Sequence, residues 1–109
     1  MPSDVSIVDA EVDRGKYEWI LEEGFSGLYL WHARRTLHSA ELVRVALVGG
    51  EPAGLVIPKR IGADIGYVYY IAVAKRFRGR GVGGALLDDA LRLFVEDGRL
   101  EVYASIEDD

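Results

Sequence analysis

Residues 67–86 read Tyr67-Val68-Tyr69-Tyr70-Ile71-Ala72-Val73-Ala74-Lys75-Arg76-Phe77-Arg78-Gly79-Arg80-Gly81-Val82-Gly83-Gly84-Ala85-Leu86, a strand, a glycine run and a helix start in succession. Tyr67 to Val73, rich in β-branched and aromatic side chains, is the longest strand signal in the chain. A basic and aromatic segment follows, then the glycine run. From Val82 the spacing becomes helical: Val82, Ala85, Leu86, Ala90, Leu93 and Phe94 share one face, with Asp88, Arg92 and Glu96 on the other. This predicts an amphipathic helix of about four turns, stopped by Gly98. Leu100, Val102 and Ala104 then alternate with Glu101, Tyr103 and Ser105 as a last strand. Strand, helix and strand make one βαβ unit, its two strands parallel and its connection right-handed. Between strand and helix, Arg78 to Gly84 reads as a backbone cradle for phosphate. Glycines let amides approach an anion, and a helix starting there adds the positive end of its dipole.

Upstream, the pattern is different. Val5 to Val8 is a short β-prone run, and Asp9 to Gly15 reads as a loop and helix entry. Tyr17, Ile20, Leu21, Phe25, Leu28, Trp31 and Leu37 recur at helical spacing, broken near Gly24 and Gly27, which predicts two short helices. Leu42 to Val48 and Ala53 to Ile57 form a hairpin about Gly49-Gly50-Glu51-Pro52. Pro58 suits the end or edge of that strand, and Ile61 to Gly66 is a loop before Tyr67. Three antiparallel neighbours therefore precede the βαβ unit. The whole is an α/β (α+β) domain with a mixed, mostly antiparallel sheet.

With 109 residues, half of them hydrophobic, the chain has the size and composition of one domain with a single core. No segment has the apolar length of a membrane span, and Met1-Pro2-Ser3-Asp4 lacks signal-peptide features, so no membrane partner and a cytoplasmic location are expected. The absence of cysteine excludes disulfides, thiolate metal sites and a cysteine nucleophile. His32 and His38, six apart, match no ligand motif, so no metal site and no role is assigned to either. The net charge of −5 argues against a nucleic-acid partner. Lys75, Arg76, Arg78 and Arg80 nevertheless concentrate positive potential beside the glycines, as a compact anion would require. The terminal Glu107-Asp108-Asp109 reads as solvated.

Several phosphate sites fit glycines in this pattern. Gly79, Gly81 and Gly84 satisfy G-x-G-x-x-G, which alone is a weak dinucleotide signal. That fold places its first glycine directly after the strand, within repeated βαβ units. Here Ala74 to Arg78 intervene and hairpins precede. A P-loop would require a Gly-Lys-Ser/Thr ending, which is missing.

Ile71-Ala72-Val73, the basic segment and Arg78-Gly79-Arg80-Gly81-Val82-Gly83-Gly84 together resemble the acetyl-CoA motif of the GNAT superfamily of N-acetyltransferases. The family's Gln/Arg-x-x-Gly-x-Gly/Ala core is met by Arg78, Gly81 and Gly83. The order of the earlier elements also agrees. The resemblance implies helices on both sheet faces, acetyl-CoA as co-substrate, and its pyrophosphate on the amides of Arg78, Gly79, Arg80, Gly81, Val82, Gly83 and Gly84. It places the pantetheine arm along Ile71, Ala72 and Val73, where an amide-bearing arm needs backbone partners and a strand edge supplies them. Nearby Arg and Lys side chains either meet the adenosine phosphates or are merely solvated.

The base is harder to place. Histone-acetylating members carry a glutamate at the position of Tyr67, so that base is absent. Leu100-Glu101-Val102-Tyr103-Ala104-Ser105 is similar to the last strand of ribosomal-protein alanine N-acetyltransferases, which makes Glu101 the candidate. Alternation alone would equally make it a polar residue on a solvated strand face. Tyr69, Tyr70 and Tyr103 are given packing roles. The family's closing helix, final hairpin and following Asn are not found before Asp109. The resemblance therefore implies a C-terminally incomplete domain, either a fragment or one completed by another subunit such as a second copy. Two functions remain open. One is direct acetyl transfer to an amine acceptor: a protein N-terminus, a lysine or a small amine. The other is a non-catalytic CoA-binding or assembly module.

Overall fold

The computed structural model describes residues 4–104; Ser105 and the acidic Glu107-Asp108-Asp109 lie outside them. Strand β1 (Val5–Asp9) leads through a short 3-10 helix (Arg14–Tyr17) into α1 (Glu18–Gly24) and α2 (Gly27–Ser39). β2 (Arg44–Val48), β3 (Glu51–Ile61) and β4 (Ile65–Val73) follow as a meander. A second 3-10 helix (Lys75–Phe77) then precedes α3 (Val82–Glu96) and β5 (Glu101–Ala104). The sheet runs in the order β1-β2-β3-β4-β5. Its first four strands are antiparallel neighbours, and β5 lies parallel to β4.

Two apolar layers cover the two sheet faces. Val82, Ala85, Leu86, Ala90 and Phe94 of α3 pack on Ala46, Val56 and Val68. On the other face Ile20 and Leu21 of α1 and Ala33 and Leu37 of α2 meet Val45, Leu55, Ile57 and Tyr70. Gly66 permits the α3 packing, since a Cβ there would lie 2.5 Å from the Phe94 ring. No helix among the described residues is long and apolar enough to cross a membrane.

Three details depart from the sequence reading. β3, at 11 residues, is longer than the nine-residue β4. Pro58 does not end its strand but sits inside β3, where the register shifts and a missing N–H is tolerated. The hairpin turn is only Gly49-Gly50, both at positive φ, so Glu51 and Pro52 already belong to β3.

The same register shift matters more on β4. Ile57 opposes Tyr70 and Pro58 opposes Val68, which leaves Tyr69 as an extra, unpaired residue. A bulge of this kind resets the alternation of faces. Val68 points to the α3 layer, while Tyr69 and Tyr70, adjacent in sequence, both join the α1–α2 layer.

Candidate active site

The glycine segment forms the cradle that its composition suggests. Gly79 and Gly81 take φ of +77° and +81°, a left-handed conformation that side chains resist by about 1–2 kcal/mol. Gly81 caps α3 without any side-chain hydrogen bond, and Ala85 N–H is the first to reach back, 3.0 Å from the Gly81 carbonyl. The amides of Val82, Gly83 and Gly84 therefore open the helix with no intrahelical acceptor, at the positive end of its dipole. A Cβ on Gly79 or Gly84 would meet nothing within 4 Å, so the space above the cradle is open to an anion.

Arg78 stands apart from the other cradle residues. Its amide donates to the Lys75 carbonyl at 3.3 Å. Its guanidinium turns inward, donating to the carbonyls of Val73 and Glu23 at 3.1 Å each. The Glu23 carboxylate in turn accepts the Lys75 N–H at 2.7 Å. Arg78 is thus a strut between the end of β4 and the end of α1. Arg76 pairs with Glu51, and Arg80 lies 3.5 Å from Asp4 while stacking over Phe77.

Beside the cradle, β4 offers a free edge. Pairing with β5 runs only from Ile65↔Glu101 to Val68↔Ala104, so among the described residues Tyr69 to Val73 have no strand partner on that side. A cavity of about 290 Å³ opens there, lined by Phe25, Tyr70, Ile71, Gly83, Gly84 and Ala104 among others. Of Ile71, Ala72 and Val73, only Ile71 lines it. Ala72 is buried under α1 and α2, and Val73 packs toward α3.

Tyr69 also borders a second cavity of about 350 Å³, between α2 and β3, where His32, Thr36, Glu41, Lys59 and Arg60 contribute polar groups. One side of the sheet carries a stack of rings. Tyr67 and Tyr69 centroids lie 5.0 Å apart, Tyr69 and Tyr70 6.4 Å, and Tyr70 meets Tyr29 and Phe25 edge-on at 5.6 Å. The Tyr70 hydroxyl shares a hydrogen bond with His32 Nδ1. Burial, with Tyr29 and Tyr69 nearby, pushes the Tyr70 phenol above its ordinary range, against a smaller opposing effect from Thr36. It therefore stays protonated at neutral pH. The spacing of His32 and His38 gives no hint of this contact, because the partner of His32 lies 38 residues away.

Glu101 stands where the parallel pairing predicts, opposite Ile65 at the end of β4 away from the glycines. It lines neither cavity. Its carboxylate accepts the Tyr103 hydroxyl at 3.0 Å, which holds that phenol above its usual range. Tyr103 pairs with Tyr67 across the parallel strands, and Tyr67 in turn meets Tyr69, which borders both cavities.

The fold is shared with solved structures. A ribosomal-protein-alanine N-acetyltransferase from Brucella melitensis biovar Abortus 2308 superposes with a TM-score of 0.75 at 23% identity, over 93% of this chain and 79% of that one. A GNAT-family acetyltransferase from Streptococcus pneumoniae TIGR4 gives 0.74 at 20% identity, covering 96% and 77%. Another from Elizabethkingia anophelis, with acetyl-CoA bound, gives 0.71 at 20% identity, covering 89% and 61%. The family model described as "Acetyltransferase (GNAT) family" matches residues 7–109, and on that match the chain belongs to the GNAT family of acetyltransferases.

Proposed function

We propose that this protein transfers the acetyl group of acetyl-CoA to a primary amine by direct attack within a ternary complex. One observation carries the reading: the β4 edge from Tyr69 to Val73, unpaired among the described residues, lies beside the amide cradle of Gly79 to Gly84, with a mostly apolar cavity lined by both. An anion fits the open amides, an amide-bearing chain fits the strand edge, and a small acyl group fits the cavity. Acetyl-CoA, when bound, supplies a thioester whose carbon–sulfur bond breaks as the new carbon–nitrogen bond forms.

The protein's own part is to hold and to move protons. Val82, Gly83 and Gly84 fix the pyrophosphate by backbone, and Ile71 borders the acyl group. The attacking amine must lose one proton, and Glu101 is the proposed base, reached along the sheet face that carries Tyr103 and Tyr67. The departing sulfur must gain one. Tyr70 is the proposed donor, because it lines the acyl cavity with its phenol protonated and His32 at its back.

The first test is calorimetric titration with acetyl-CoA, NAD and ATP. Binding of acetyl-CoA alone is expected, and its absence would end the reading. Thiol release with a panel of amines then separates an enzyme from a CoA-binding module. For the proton carriers, Glu101→Gln should lower kcat/KM by about 10²-fold or more and remove the acidic limb of its pH profile. Tyr70→Phe, which keeps the ring contacts, should lower kcat with little change in acetyl-CoA affinity.

A further inference from the structure

The larger cavity, between α2 and β3, has an electrostatic character that the acidic chain as a whole does not. Its lining holds one carboxylate, Glu41, and two cations, Lys59 and Arg60. Arg60 is already committed, 3.0 Å from Glu41 and 3.2 Å from Asp97. Lys59 is not: among the described residues no carboxylate lies within ion-pairing distance of it. Its ammonium instead sits over the Tyr69 ring, 5.7 Å from the centroid. His32, Thr36 and Ser39 complete the polar wall with hydrogen-bonding groups.

Tyr69 is the residue common to this cavity and the acyl cavity. A molecule lying against it has Lys59 on one side, since that ammonium sits over the same ring, and the acyl cavity on the other. The volume, about 350 Å³, is at the small end of ligand sites. A compact acceptor fits better than a folded protein surface, and a polycation would meet an uncompensated positive charge at the cavity wall.

We propose that the α2–β3 cavity is the acceptor site and that Lys59 selects small amines carrying a carboxylate, held with the carboxylate on Lys59 and the amine beside Tyr69. The assignment rests on the acetyl-transfer reading above. It reverses the expectation from net charge alone, under which cationic amines would be favoured. The chain's overall charge acts at long range and is screened within about 8–10 Å, whereas Lys59 acts at contact.

The test measures thiol release with glycine, β-alanine, γ-aminobutyrate and 6-aminohexanoate, each against its carboxamide at equal concentrations of free amine, because amidation removes the charge and also lowers the pKa of the amine. At least one acid should exceed its amide by about tenfold in kcat/KM, through KM, as expected for loss of a charge-assisted hydrogen bond. Lys59→Ala should abolish that preference, Lys59→Arg should keep most of it, and Lys59→Glu should invert it. Amides that serve as well as acids, a preference that survives Lys59→Ala, or an enzyme idle with all these amines while binding acetyl-CoA would each overturn the assignment and leave the acetyl-CoA reading standing. Failure to bind acetyl-CoA would instead remove the reading on which it rests.

Discussion

Replacing Arg78 by alanine separates two uses of one side chain. If the guanidinium is a strut, its loss is felt without any ligand. It donates to the Val73 and Glu23 carbonyls at 3.1 Å each, joining the end of β4 to the end of α1. A net hydrogen bond is worth about 0.5–1.5 kcal/mol, and these lie at the surface, so the lower part of that range applies. Two such bonds give about 1–2 kcal/mol. In a domain of this size each kcal/mol moves the midpoint by about 4–8 °C. Arg78→Ala should therefore melt roughly 4–16 °C lower in the absence of acetyl-CoA, followed by circular dichroism at low and high salt. Acetyl-CoA affinity should fall only as far as the loosened α1 end disturbs Phe25 in the acyl cavity. The opposite result, an unchanged ligand-free midpoint with affinity sharply reduced and strongly salt-dependent, would refute the strut. It would return Arg78 to the phosphate.

Asp89, only 4% exposed, is held by Arg44 at 2.9 and 3.1 Å and by Arg92 at 2.8 Å. Asp89→Leu should cost about 3 kcal/mol in urea denaturation, toward the low end for a broken buried pair because Arg44 keeps Asp9. The double variant Arg44→Leu/Asp89→Leu should be the more stable of the two, and an equal or greater loss would contradict the ion-pair account. Gly66→Ala, whose new Cβ would lie 2.5 Å from Phe94, should cost about 1–3 kcal/mol; partial rescue by Phe94→Leu would locate the clash. The Arg99 guanidinium beside Asp97, with Arg60 beyond it, holds that carboxyl below its ordinary range. A depressed folded value means stability that is present above the ordinary carboxylate pKa and lost as pH falls through the folded one. Asp97→Asn should accordingly flatten the acid side of the melting curve against pH, and superimposable curves would argue otherwise.

Local chemistry accounts for what could be read along the chain. Positive φ at Gly79 and Gly81, the helix beginning at Val82 and its stop near Gly98 all follow from neighbours within a few residues. Such features leave periodic or conformational marks in sequence. The amide cradle belongs to this class, because backbone groups at a helix start need no distant partner to be available. The family resemblance rests on the same segment.

The contacts that give the site its character are of the other kind. The bulge at Tyr69 is decided by how β3 and β4 fit, and it turns two adjacent tyrosines to one face where alternation would part them. His32 meets Tyr70 only because α2 folds over β4. Arg78, read from its motif as a phosphate residue, spends its side chain on carbonyls that the fold brings to it. Asp89, spaced four from both Ala85 and Leu93 on the apolar face of α3, is buried there because Arg44 pairs with it. Backbone conformation is local, so the glycine turn, the helix it opens and the strands on either side are legible along the chain. Which side chains face the two cavities follows from burial and pairing across tens of residues, which are properties of the packed sheet.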